Sequence, residues 1–154
     1  MLKYESTLIT FTEVPDEISL CINLTCCPCR CKECFEPWLR EDYGSILSFD
    51  AIQEMRLKNP HVSCFCFMGG DNDHIALYHL CKTIKSYYPN LKLALYSGLD
   101  TMDRPLAEVL DYYKFGPYIP EYGPLNKETT NQRFMKKVGP YWENITYKFQ
   151  IEKR

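Results

Sequence analysis

The spacing of apolar and polar positions predicts an alternating order of strands and helices. Thr7 to Thr12 reads as a first strand. In Glu17–Leu24, the residues Ile18, Leu20, Ile22 and Leu24 share one face of a second. That strand runs directly into a group of cysteines, which places them on the loop at its C-terminal end. Ser48-Phe49-Asp50-Ala51-Ile52 opens a helix that stops near Asn59-Pro60. Val62 to Met68 is almost wholly apolar, as in a strand buried on both faces, and ends in Gly69-Gly70-Asp71-Asn72-Asp73. Ile75, Leu77, Leu80, Cys81 and Ile84 form one apolar side of a helix over about 74–88, broken by Pro89-Asn90. Leu91 to Tyr96 is another buried strand, ending at Ser97-Gly98. A short helix is predicted over Arg104–Leu110 with Pro105 in its first turn, then a strand at Tyr112–Phe115. From Gly116 the chain reads as irregular, with Gly-Pro pairs as punctuation, before a terminal strand at Ile145–Ile151.

This order predicts an α/β fold of one domain over residues 1–154, with a mainly parallel open sheet and helices on its faces. Sites in such folds gather at the C-terminal ends of strands. Three loops fall there: Cys26–Cys34, Gly69–Asp73 and Ser97–Gly98. They are expected to converge in space.

Composition narrows the function classes. The chain has 154 residues, 45% hydrophobic and 25% charged, which suits an ordered globular domain. The formal charge of −2 argues against wrapping nucleic acid or coating an anionic membrane. No apolar run approaches the roughly 20 residues of a spanning helix. Met1-Leu2-Lys3-Tyr4-Glu5 lacks the basic-then-apolar layout of an export signal, so a cytoplasmic location is expected.

The nine cysteines change this picture, because five of them fall between Cys26 and Cys34. An odd count with no export signal argues against a disulfide framework and toward metal. One register gives Cys-x3-Cys-x2-Cys: Cys27, Cys31 and Cys34. Three thiolates on a short loop can hold three irons of a [4Fe–4S] cube and leave the fourth open. The rival is a zinc-stabilised binding module on the pairs Cys26/Cys29 and Cys31/Cys34. Those pairs are separated by a single residue, where zinc ribbons leave about 12–20, so the spacing favours iron.

The Cys-x3-Cys-x2-Cys-aromatic motif after a core strand resembles the radical S-adenosylmethionine superfamily. Gly69-Gly70-Asp71, Asp111-Tyr112-Tyr113-Lys114-Phe115-Gly116-Pro117-Tyr118 and Thr129-Thr130-Asn131-Gln132-Arg133 resemble one branch of it, the activating protein of anaerobic (class III) ribonucleoside-triphosphate reductase. The resemblance runs from about Cys21 to Phe134. It implies a small partial (β/α) barrel of radical SAM type. It implies a [4Fe–4S] cluster on Cys27, Cys31 and Cys34, with S-adenosyl-L-methionine chelated at the open iron. Reductive cleavage then yields a 5′-deoxyadenosyl radical, which takes a hydrogen from a glycine of the reductase large subunit. A flavodoxin- or ferredoxin-type donor is implied as well. Phe35 matches an aromatic beside the adenine. Gly69 and Gly70 match the start of a Gly-Gly-Glu motif that meets the cofactor's amino group, with Asp71 one methylene shorter than the family glutamate. Ser97 and Gly98 end a strand that in this superfamily often faces the cofactor. Cys26 stands where the family has glycine. An activase of another glycyl-radical enzyme, or a small-molecule radical enzyme, is the rival within the superfamily.

Each of these residues also has a plainer reading. Phe35 could be a core side chain, Gly69-Gly70 a tight turn, Asp71 or Asp73 a helix cap, and Ser97-Gly98 an ordinary loop. Cys21, Cys64, Cys66 and Cys81 lie on apolar patterns and read as buried small hydrophobes. His61, His74 and His79 read as surface or structural. The tyrosine-rich tail, from Tyr112 to Tyr147, reads as a core margin or a docking surface. Asn131-Gln132-Arg133 reads as a polar loop at the mouth of the site or a contact to the reductase.

Overall fold

The structure is a computed structural model, and it describes residues 1–31, 33–34 and 36–150. Strands β1 (Lys3–Thr10), β2 (Ser19–Leu24) and β3 (Ser45–Ile46) precede helix α1 (Phe49–Lys58). Then come β4 (Cys64–Met68), α2 (His74–Tyr87), β5 (Lys92–Tyr96), α3 (Arg104–Val109) and β6 (Tyr112–Phe115). Strands β7 (Arg133–Val138) and β8 (Tyr141–Asn144) follow. All eight strands form one sheet in the order β3-β1-β2-β4-β5-β6-β7-β8.

The helices start where short polar side chains can take up free backbone N–H groups. Ser48 accepts from Ala51 N, Asp73 from Ala76 N and Asp103 from Leu106 N, at 3.2, 3.1 and 3.0 Å. Asp73 is therefore a helix cap, and Asp71 is not one.

The expected mainly parallel sheet is corrected. The pairings β2–β4, β4–β5 and β5–β6 are parallel, whereas β1–β2, β1–β3, β6–β7 and β7–β8 are antiparallel. The reason is the connections. Parallel neighbours need a crossover of a dozen residues or more, usually a helix. Such crossovers link only the central four strands. The flanking strands are joined by turns or helix-free loops and run antiparallel.

The helices also lie on one face, not both. The strands succeed one another in a single direction, from β2 to β4 to β5 to β6, so crossovers of one hand all pass on the same side. Side chains alternate across each strand. Leu20, Ile22 and Leu24 of β2, Phe65 and Phe67 of β4, Leu93 and Leu95 of β5 and Tyr113 of β6 pack on Ile52, Leu77, Ile84 and Leu106 of the helices. Cys21, Cys64, Cys66, Ala94 and Tyr112 point the other way. They are covered by Val14, Leu125, Phe134 and Ile145, from loops and the last hairpin.

Two further expectations are corrected near the C-terminus. The irregular stretch contains the β7–β8 hairpin, which turns at Gly139-Pro140, with Gly139 at φ +59°. Thr146–Phe149 is a 3-10 turn and no strand, and Ile151 lies outside the described residues. No helix among the described residues is long and apolar enough to cross a membrane.

Candidate metal and cofactor site

The loop after β2 is held by main-chain bonds to a short 3-10 turn at Pro37–Arg40. Cys27 N donates to Leu39 O at 2.9 Å and Cys26 N to Glu41 O at 3.0 Å. The Arg40 guanidinium donates to Cys31 O at 2.9 Å and that of Arg30 to Cys27 O at 3.3 Å. Two residues of the loop take left-handed backbone, Cys26 at φ +62° and Glu33 at φ +58°. L side chains rarely adopt that conformation. The family glycine expected at position 26 has this physical basis.

The three predicted loops do meet. Cys27, Cys31, Cys34, Gly69, Asp71 and Ser97 all line one cavity of about 900 Å³ at the C-terminal ends of the parallel strands. The cavity extends over the sheet face that carries no helices, where it is also lined by Cys21, Met68 and Tyr96. Gly70 lies behind it. A Cβ there would stand 3.1 Å from Leu77 Cδ2, and its φ of +107° suits glycine, so its place is set by packing and backbone. Phe35 lies outside the described residues.

Asp71 joins two of the loops. Its carboxylate accepts from Ser97 Oγ at 2.7 Å, Gly98 N at 2.8 Å and the His74 imidazole at 2.8 Å. Burial alone would raise this carboxyl, but the bonds from His74, Ser97 and Gly98 outweigh it and hold it below its usual value. His74 also meets Asp103 at 3.2 Å, and its pKa is raised, first by Asp71 and then by Asp103 against the opposing effect of burial. Asp71 and Asp103 thus flank one imidazole. The sequence reading missed His74, because its pairing with Asp71 depends on how the turn before α2 folds.

The thiols differ among themselves. Cys27 Sγ lies 4.0 Å from the Cys29 carbonyl oxygen, and the neighbouring Cys29 thiol lowers Cys27 to about 6 while Cys29 is pushed up. Cys29 Sγ also lies 3.6 Å from Asp71 Oδ2 and packs on Gly98, where a Cβ would stand only 2.7 Å from the sulfur. Cys27 is thereby biased toward the thiolate, the form that ligates metal. Cys21, Cys64, Cys66 and Cys81 are buried, as expected. Burial pushes the thiols of Cys64, Cys66 and Cys81 up, the condition of structural cysteines.

Among the described residues, no three Cys, His, Asp or Glu side chains converge on a single metal ion. An iron–sulfur cube takes each thiolate on a different iron, and Cys27, Cys31 and Cys34 all line the one cavity of about 900 Å³. In donor type and space, the residues present fit such a group.

Lys114 and Gln132 complete the cavity wall. Gln132 is buried and its side-chain amide donates to Gly116 O at 3.5 Å, while Asn131 Nδ2 donates to Pro117 O at 2.9 Å. Arg133 is exposed and donates to the carbonyls of Thr130 and Gln132, both at 2.8 Å. The polar stretch therefore braces the loop after β6, and only Gln132 of the three enters the cavity. Tyr112 and Tyr113 are core residues, whereas Tyr122, Tyr141 and Tyr147 are exposed.

A family model described as a 4Fe-4S single cluster domain matches residues 18–118. This span contains the strand before the cysteines, the whole cysteine loop, the three parallel pairings and the loops that bear Asp71 and Ser97. No curated protein and no solved structure matches the chain.

Proposed function

The chain belongs to the family of 4Fe-4S single cluster domains, and from that premise we propose that it is a radical S-adenosylmethionine activase that generates the glycyl radical of anaerobic ribonucleoside-triphosphate reductase. The observation that carries this reading is the meeting of three loops around one cavity: the cysteine loop, Gly69-Gly70-Asp71 and Ser97-Gly98. A cluster that only passes electrons needs thiolates and little else. Here a mostly apolar cavity with a few polar groups, among them Asp71, Ser97 and Gln132, adjoins them, which is what binding a second molecule beside the cluster requires.

In this reading Cys27, Cys31 and Cys34 would hold a [4Fe–4S] cluster. When bound, the cluster would supply the single electron that cleaves the sulfonium of S-adenosyl-L-methionine. The chain's own residues bind and orient. Asp71, fixed by His74, Ser97 and Gly98, presents a buried carboxylate to the cavity and suits an ammonium group. Gly69, at φ +114°, brings bare backbone to the cavity wall. The apolar side chains of Leu24, Leu39 and Leu125 limit water there. The partner is the reductase large subunit, and a flavodoxin- or ferredoxin-type protein is the electron donor.

The test is electron paramagnetic resonance on the reduced, iron-loaded chain with S-adenosyl-L-methionine. A glycine-centred doublet is expected when the reductase is added, and only then. Loaded protein that gives no doublet with its reductase would refute the assignment. A doublet on a different glycyl-radical enzyme alone would move it to the rival activase.

A further inference from the structure

Lys114 is a charged side chain in a place where charge is costly. It lies on β6, is 7% exposed, and points by strand alternation to the same face as Tyr112, away from the helices. Asn23, Met68, Tyr96 and Lys114 stand opposite one another across the four central strands. This row is the last before the loops that form the cavity, and all four of its members line the cavity. Lys114 is its one charge.

The ammonium donates to Ser97 O at 3.0 Å and Gly116 O at 2.8 Å, and lies 6.0 Å from the centroid of the Tyr96 ring. A lysine has three N–H donors, and two carbonyls do not neutralise it. No carboxylate among the described residues forms an ion pair with it, although other lysines of the chain, such as Lys85 and Lys148, have one. Burial lowers its pKa to about 8, against the opposing field of Cys31, Asp71, Cys29 and Cys27. A buried cation without an anion is unfavourable unless an anion arrives. The cysteine loop across the cavity is where one would arrive. A cube held by three thiolates carries a net negative charge, and one-electron reduction adds another.

We propose that Lys114 is the buried counter-charge of the iron–sulfur cluster and holds its reduction potential up. The proposal rests on the reading of this cavity as the cluster site. Reduction adds one electron and no proton, so the reduced form gains more from a fixed neighbouring cation than the oxidised form does. Lys114 touches no reacting atom in this scheme and acts through the field alone.

The experiment uses the full chain, loaded anaerobically with iron and sulfide, without S-adenosyl-L-methionine. The potential is read by a redox titration followed by electron paramagnetic resonance. Lys114→Gln keeps a donor for the Ser97 and Gly116 carbonyls and removes the charge; Lys114→Met removes both; Lys114→Arg keeps the charge. The two neutral variants are expected to lower the reduced-to-oxidised ratio at fixed poise at least tenfold, which is 59 mV for a one-electron couple. The arginine variant is expected to stay within about threefold of wild type. Neutral variants that load iron and keep the wild-type potential would overturn the proposal. Loss of loading in both neutral variants with normal loading of the arginine variant would support it, and loss in all three would overturn it. A wild-type chain that takes up no iron would instead remove the cluster reading itself.

Discussion

Cys26 holds φ at +62°, where the Cβ of an L residue crowds the backbone at a cost of about 1–2 kcal/mol. Glycine adopts this conformation freely but loses more entropy on folding. Cys26→Gly is therefore expected to raise stability by up to about 1 kcal/mol in a denaturant titration and to leave iron content unchanged. A fall in iron would make Cys26 a ligand. Cys29 is the sharper case, since its sulfur already lies on Asp71 and Gly98. Cys29→Ala is expected to keep about four irons per chain, and Cys31→Ala to lose them, by metal analysis after anaerobic loading. His74 gives a pH prediction. Its pKa is raised in the folded chain by Asp71 and Asp103. The resulting stability is complete below the unfolded value near 6.5 and is lost as pH rises through the folded value. The gap in thermal midpoint between wild type and His74→Gln should be widest below pH 6.5 and narrow as pH rises above it. A gap that widens with pH would contradict the charge assignment.

Among the elements, the turn after β4 is the most constrained. Gly70→Ala would set a Cβ 3.1 Å from Leu77 Cδ2 at φ +107°. It is expected to cost about 1–3 kcal/mol, measured by urea unfolding. The central strands and helices α1, α2 and α3 were legible in the sequence, because each carries a clear period or an unbroken apolar run and most are followed within two residues by a Pro, Gly or Asp. β6 matches its predicted span, and α2 differs by a single residue at its end. The β7–β8 hairpin was not legible. Arg133-Phe134-Met135-Lys136-Lys137-Val138 places one fully buried side chain, Phe134, among charged neighbours, so no period-two signal stands out. Gly139-Pro140 read as loop punctuation when it is the turn of that hairpin. Strand pairing supplied by distant β6 fixed what local pattern could not. The same limit hid His74 and Lys114. Their roles depend on what stands opposite them in the sheet or across the turn.

For the whole molecule, the sheet separates two tasks. One face carries the helices and most of the apolar core. The other carries the cysteine-rich second core and opens into the cavity. The convergence of the three loops was legible because it follows from topology alone, through the position of strand C-termini. The antiparallel flanks and one-sided helices were not, since they depend on which connections are too short or too irregular to cross over. Cluster binding to the folded chain should stabilise it by linkage. The iron-loaded chain is expected to unfold at a higher temperature than the iron-free chain, and Cys31→Ala should abolish that difference. Equal midpoints for loaded and iron-free wild type would mean that the metal sits outside the fold.

The most direct test of the central claim is methionine release from S-adenosyl-L-methionine by the reduced, iron-loaded chain. Release that requires reduction and vanishes in Cys31→Ala is the expected result. A fully loaded, fully reduced chain that leaves S-adenosyl-L-methionine intact, with its reductase present, would contradict it.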